Sequence, residues 1–377
     1  MADSQSQAPE SSSFVKASYW YPGDYKTPHP QSPPTDIESS LFTHLFCAFA
    51  DLDPNTHKVV VPESHEQEFS NFTEDVQKKN PDVQTLLSIG GKHADKSAFV
   101  SMVHDHRSRK SFIDSSIRIA RSYGFNGLDL AWEYPSSSRE MISFGTLLEE
   151  WRLAVEVESR HTGDPTLLLT AAVYYCPVYT SGSYPVYFEA HYPVQLIEEN
   201  LDWVNIIAFD FYGSSTTIGP PAGLYNHPSK PEGPCGDSGL KQWIKAGLPD
   251  KKAVFGFPYF GQSWTLSNDK DHGADVAAAT TGVAVSADGS INYDQIITFI
   301  KYHKAEPGHD QTVVGDYCFD GTTLIMYDDI ESIVTKVRYT KKNGLLGYFA
   351  WNVGADDDSY LSRAASHTWG SNALTET

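Results

Sequence analysis

Eight short runs of apolar and β-branched residues, at 15–19, 42–49, 83–89, 127–133, 167–175, 204–210, 253–257 and 345–351, recur along the chain with helical patterns between them. Strands alternating with helices imply a parallel sheet, because parallel neighbours need a crossover connection and a helix supplies it. Eight such units close on themselves as a (β/α)8 barrel, the TIM-barrel architecture, and 377 residues suit one barrel with insertions. Helical spacing is explicit on both sides of the fourth strand. Met141, Phe144, Leu148, Trp151 and Val155 recur at three and four residues, and Phe112, Ile113, Ser116, Ile117 and Ala120 do so in the preceding unit.

The pattern breaks once. Residues 263–328 hold Gly-, Asp- and Thr-rich turns and short alternating runs such as 312–317, which reads as a small α+β insertion between the seventh strand and its helix. The expected organisation is a polar, disordered tail at 1–13, a barrel formed by 14–262 and 329–372, the insertion at 263–328, and a C-terminal tail at 373–377.

A formal charge of −20 sets the chain against nucleic acid and anionic membrane surfaces, which it would repel at long range, and a neutral small molecule suits it better. Cys47, Cys176, Cys235 and Cys318 are widely spaced, and Cys47 and Cys176 lie in apolar runs that suit small buried thiols. His104-Asp105-His106 offers too few ligands to enclose zinc, Gly90-Gly91-Lys92-His93 lacks phosphate-loop spacing, and Gly236-Asp237-Ser238-Gly239 lacks the surroundings of a serine-protease nucleophile. No metal or organic cofactor is expected. The first ten residues have neither a basic start nor an apolar stretch, and no run is long enough to span a membrane. The expectation is a monomeric cytoplasmic protein, or a secreted or vacuolar one if a leader precedes this sequence.

Chemistry concentrates in the fourth strand. Side chains alternate between the faces of a strand, so Asp129, Ala131 and Glu133 share one face and line a common pocket. The pattern Asn126-x-x-Asp129-x-Ala131-x-Glu133, followed by Tyr134-Pro135, resembles the Asp-x-x-Asp-x-Asp-x-Glu signature of glycoside hydrolase family 18, the chitinases. Ser88-Ile89-Gly90-Gly91, Phe255-Gly256-Phe257-Pro258-Tyr259 and Gly347-Tyr348-Phe349-Ala350-Trp351 resemble the family's third, seventh and eighth strands. Gly315-Asp316-Tyr317-Cys318 and the run 332–339 resemble the plant class V chitinases. The likeness covers about 14–370.

The resemblance implies a carbohydrate groove at the C-terminal mouth of the barrel and a mechanism in which the substrate's own 2-acetamido oxygen is the nucleophile. It makes Glu133 the acid, with Asp129 and Asp210 as further catalytic candidates, although Asp129 reads first as a buried structural carboxylate. Tyr19, Trp132, Phe209, Tyr212, Tyr259, Trp264 and Trp351 are the candidates for contact with sugar, since apolar sugar faces stack on aromatic rings. Two departures strike one step. The aspartate that would hold the acetamide N–H is Ala131, and the family's sixth-strand tyrosine, whose hydroxyl holds the acetamide oxygen, is replaced in Ile207-Ala208-Phe209-Asp210.

Three functions follow. The first is a class V chitinase-like protein that binds N-acetylglucosamine-containing glycans and hydrolyses them at least about a hundredfold more slowly than a complete relative. The second is an enzyme in which Glu133 and Asp210 do acid–base chemistry on another small molecule. The third is a chitinase inactivated by an introduced Asp-to-Ala change at 131; the second departure, Phe209, favours natural divergence.

Overall fold

The barrel strands form where the apolar runs lie: β1 (Val15–Trp20), β2 (His44–Leu52), β3 (Gln84–Gly90), β4 (Gly127–Ala131), β5 (Leu168–Tyr174), β6 (Trp203–Ile207), β7 (Ala253–Pro258) and β8 (Gly347–Trp351). Each is parallel to its sequence neighbours, and β1 pairs with both β2 (Ala17↔His44) and β8 (Val15↔Gly347), which closes the sheet into a (β/α)8 barrel. The computed structural model describes residues 14–23, 32–183, 186–212, 218–266, 279–281, 289–356 and 358–371. The tails expected at 1–13 and 373–377 lie outside these residues.

Period-two alternation sorts the strand residues into two clusters. One contains Val15, Ala17, Tyr19, Phe46, Ala48, Leu86, Trp203, Val254 and Phe349 and fills the barrel interior. The other contains Leu45, Cys47, Leu87, Ile89, Leu128, Leu130, Val204, Ile206 and Phe255, and packs outward against the helices. Helices His106–Ser122 and Ser138–Thr162 flank β4 in sequence and bury the predicted stripes: Phe112, Ile113, Ser116 and Ala120 on the first, Met141, Phe144, Leu148, Trp151 and Val155 on the second. The buried indole of Trp151 donates to Ser116 Oγ at 3.1 Å, so its one polar group is satisfied. Ser137 caps the longer helix by accepting from the Glu140 N–H, a contribution of about 1 kcal/mol.

The second sheet is antiparallel and is built from Phe260–Leu266, Ala279–Thr281, Ser290–Asn292, Glu306–Asp310, Gly315–Asp320 and Thr323–Tyr327, with helix Tyr293–His303 beside it. It starts at Phe260, three residues before the expected boundary, because the chain turns out of β7 immediately after Pro258. The run 312–317 is not one strand: a turn centred on Thr312 and Val313 joins Glu306–Asp310 to Gly315–Asp320, and Val314 sits at φ 58°. A two-stranded hairpin, Val178–Ser183 with Val186–His191, follows β5 and had no counterpart among the expected strands. All four cysteines are free and buried. Among the described residues no helix is long and apolar enough to cross a membrane.

Candidate functional site

β4 stops at Ala131, two residues short of the expected end, because its neighbour supplies no further ladder. β3 leaves the sheet through Gly90 and Gly91, at φ 118° and 87°, a conformation that favours glycine. A Cβ on Gly90 would lie 2.5 Å from the Ala131 carbonyl oxygen, and the Gly91 N–H donates to that same oxygen at 2.7 Å. The Ser-x-Gly-Gly run thus ends two strands together and releases Glu133 into the barrel mouth.

Below the mouth, Asp129 is fully buried and its carboxylate accepts three hydroxyl donors. Ser88 Oγ donates to it at 2.6 Å, Thr170 Oγ1 at 2.7 Å and Tyr19 Oη at 2.9 Å. Tyr19 Oη in turn accepts from Asn205 Nδ2 at 2.8 Å, and Trp203 Nε1 donates to Asn205 Oδ1 at 3.0 Å. Side chains from five strands therefore meet in one polar knot. Burial raises the Asp129 pKa, while these hydroxyl donors pull it back down.

Glu133, Tyr134, Tyr174, Tyr175, Tyr179, Phe209, Phe211, Asp210, Lys92 and Lys96 line a cavity of about 210 Å³. Lys92 Nζ, on the loop after β3, pairs with Asp210 Oδ2 at 2.6 Å across the barrel mouth. Burial lifts the Glu133 carboxyl to about 7; Lys92 and Lys96 oppose the rise, and Asp210 and Asp129 add to it. The group is therefore half-protonated near neutral pH, the condition a general acid needs. Ala131, 1% exposed, presents only its methyl group between Asp129 and Glu133 on that face.

A stability consequence follows. Below the ordinary glutamate value of 4.5, both folded and unfolded chains hold the proton and Glu133 contributes nothing; above about 7, the folded state bears the full cost of a buried carboxylate. Glu133→Gln is expected to match the parent near pH 4.5 and to exceed it by about 3 kcal/mol at pH 8, measured as unfolding free energy. A difference independent of pH would contradict the assignment.

The aromatic candidates separate. Phe209 lines the cavity, with Phe349 at 5.9 Å and Phe260 at 6.0 Å between ring centroids. From Phe349 the rings continue through Tyr19 at 5.6 Å to Trp351 at 5.5 Å, and Trp351 stacks on Phe49 at 5.4 Å. Trp351 is partly open, whereas Tyr19 is 2% exposed and belongs to the polar knot beneath, so it cannot offer a ring face to a ligand.

Trp132 also faces away. Period two puts it opposite Glu133, and it is 3% exposed against Phe99 and Phe144. Tyr259 is fully buried in the outer cluster, and Trp264 is fully buried in the second sheet with Ile218, Leu324 and Met326, where Tyr212 also packs. The expected groove roles of Tyr19, Trp132, Tyr259 and Trp264 thus give way to packing, while Tyr212 stays partly exposed at the edge of that cluster.

Lys92, Lys96 and the tyrosines 134, 174, 175 and 179 were missed as site residues. Lys92 follows the glycines of β3, and Tyr174 and Tyr175 stand at the end of β5, which is the barrel face where active sites form. That position was the available signal.

Residues 17–356 match Glycosyl hydrolases family 18. The chain is 56% identical over 363 residues to a class V chitinase of Arabidopsis thaliana, covering 96% of this chain and 91% of that one. The class V chitinase of Nicotiana tobaccum, solved as a mutant in complex with NAG4, superposes with a TM-score of 0.86 at 43% identity, covering 95% of this chain and 99% of that one. A chitinase-like agglutinin of Robinia pseudoacacia superposes with a TM-score of 0.82 at 41% identity, covering 94% and 100%.

Proposed function

We propose, for a chain that belongs to glycosyl hydrolase family 18, that it binds N-acetylglucosamine-containing chito-oligosaccharides at the barrel mouth and hydrolyses them poorly. The observation that carries this reading is the methyl group of Ala131 directly below Glu133. Hydrolysis assisted by the substrate's acetamide needs an acceptor for the acetamide N–H and a negative charge to balance the developing cation, and a methyl group supplies neither. Asp129 is no substitute. It lies two residues deeper, roughly 7 Å along the strand, and its oxygens already accept three hydroxyl donors. Phe209 removes the hydroxyl that would hold the acetamide oxygen, so both anchors of the attacking group are missing while Glu133 keeps a pKa of about 7 suited to proton donation.

Binding needs neither anchor alone. The open ring of Trp351, supported by Phe49, and the tyrosines around the cavity offer stacking faces for sugars, and the N. tobaccum relative holds NAG4 in its crystal structure. The Robinia relative is named a chitinase-like agglutinin, which accords with a binding role on this fold. Titrating chitotetraose calorimetrically is expected to show saturable binding, with product formed at no more than about 0.1 s⁻¹, and Trp351→Ala is expected to weaken binding at least about tenfold. Absence of heat with chitotetraose would remove this reading.

A second reading rests on the Lys92–Asp210 pair beside Glu133. An acid titrating near neutrality and an ion-paired carboxylate in one cavity suit proton exchange with a different small molecule. This reading requires that chitotetraose fail to bind.

A further inference from the structure

We propose that the hairpin Val178–Ser183/Val186–His191 extends the sugar-binding surface outward from the cavity, with Phe188 setting a preference for longer oligomers. The inference rests on the glycan reading above and adds to it where the outer sugar units lie.

The register carries the argument. In an antiparallel pair, directly opposed residues share a face, and residues two apart along a strand stay on it. The opposed pairs are Tyr179↔Ala190, Ser181↔Phe188 and Ser183↔Val186, so Tyr179, Ser181, Phe188 and Val186 stand on one face. Tyr179 lines the cavity with Glu133, and Ala190 opposite it is fully buried. Two residues outward, roughly 7 Å along the strand, that same face opens to solvent. Phe188 is 62% exposed there and Val186 55%. The hairpin is therefore anchored by its pocket end and presents a bare aromatic ring further along the same surface.

Charge narrows the occupant. The Tyr179 face carries aromatic and aliphatic groups and the Ser181 hydroxyl but no ionisable side chain other than the tyrosine. Glu189 and His191, 3.6 Å apart, stand on the opposite face together with Tyr187, which is 58% exposed. An apolar strip edged by a hydroxyl and continuous with a neutral-sugar pocket matches a pyranose chain, whose rings alternate apolar faces with hydroxyl rims. Tyr187 supplies an internal control: it has the same hairpin, similar exposure and an aromatic ring on the wrong face.

The test compares chitotriose and chitohexaose by calorimetry on the full chain and on Phe188→Ala and Tyr187→Ala. The expected result is that Phe188→Ala weakens chitohexaose by about five- to tenfold and leaves chitotriose within twofold, while Tyr187→Ala changes neither. Equal losses from the two substitutions, or a Phe188→Ala loss equal for both oligomers, would overturn the inference and leave the glycan reading standing. So would a concentration-dependent dimer abolished by either substitution, since the patch would then serve a second copy of the chain. Failure of the unaltered protein to bind either oligomer would end the glycan reading and this inference with it.

Discussion

Ala131→Asp is expected to raise the rate of chitotetraose hydrolysis by about a hundredfold. Restoring a carboxylate at 131 puts an acceptor and a negative charge on the face between Asp129 and Glu133, where the family's acetamide anchor stands. The new carboxylate also acts on Glu133. A like charge beside a buried acid favours its protonated form, so the Glu133 titration should move above its present value of about 7 and the alkaline limb of activity should shift to higher pH. Adding Phe209→Tyr is expected to increase the rate again, by a factor that need not equal its own single effect because both groups act on the same step. Recovery of about 10 s⁻¹, the usual enzyme median, from Ala131→Asp alone would mark a recently broken site. A requirement for both changes would mark older divergence. No gain from either the single or the double change would contradict the account of what is missing.

Asp129→Ala is expected to destabilise the barrel by about 3 to 5 kcal/mol, the largest loss of any single substitution at the site. Ser88, Thr170 and Tyr19 all point their hydroxyl groups at this carboxylate from three other strands, and Asn205 adds a fourth by holding Tyr19. Deleting the acceptor leaves three buried hydroxyls unsatisfied and a void where close packing was. Asp129→Asn keeps the volume and one acceptor oxygen, and should lose about half as much. The check is chemical denaturation, reading a fall in midpoint at unchanged slope. A loss below about 1 kcal/mol for the alanine variant would show that the knot does not organise the barrel interior.

Most of the barrel was legible in the sequence because each strand is apolar on at least one face and each helix carries a repeating stripe. Leu128 and Leu130 face the helices, Asp129 faces the interior, and the same alternation locates Glu133 without any structure. It also excludes Trp132 from the groove, since a residue adjacent to Glu133 must face the other way; applied consistently, period two would have shown this. The hairpin after β5 was illegible for a different reason. Val178-Tyr179-Thr180-Ser181 has mixed small and polar composition, with no alternation to separate it from loop. Lys92 was hidden by its neighbours. Beside two glycines it invites comparison with phosphate-binding loops, and only the closure of the barrel brings it to Asp210, 118 positions away along the chain. Long-range pairs of this kind have no local signature.

The most direct measurement of the central claim is the fate of chitotetraose held by the unaltered protein, followed by mass spectrometry over a day at neutral pH with protein in excess of sugar. The account predicts that the tetramer binds, through the open face of Trp351 and the tyrosine-lined cavity, and is cleaved at no more than about 0.1 s⁻¹, a hundredfold below the usual enzyme median. Conversion to shorter oligomers at a turnover near 10 s⁻¹ would contradict it, because proton donation by Glu133 would then suffice without either acetamide anchor.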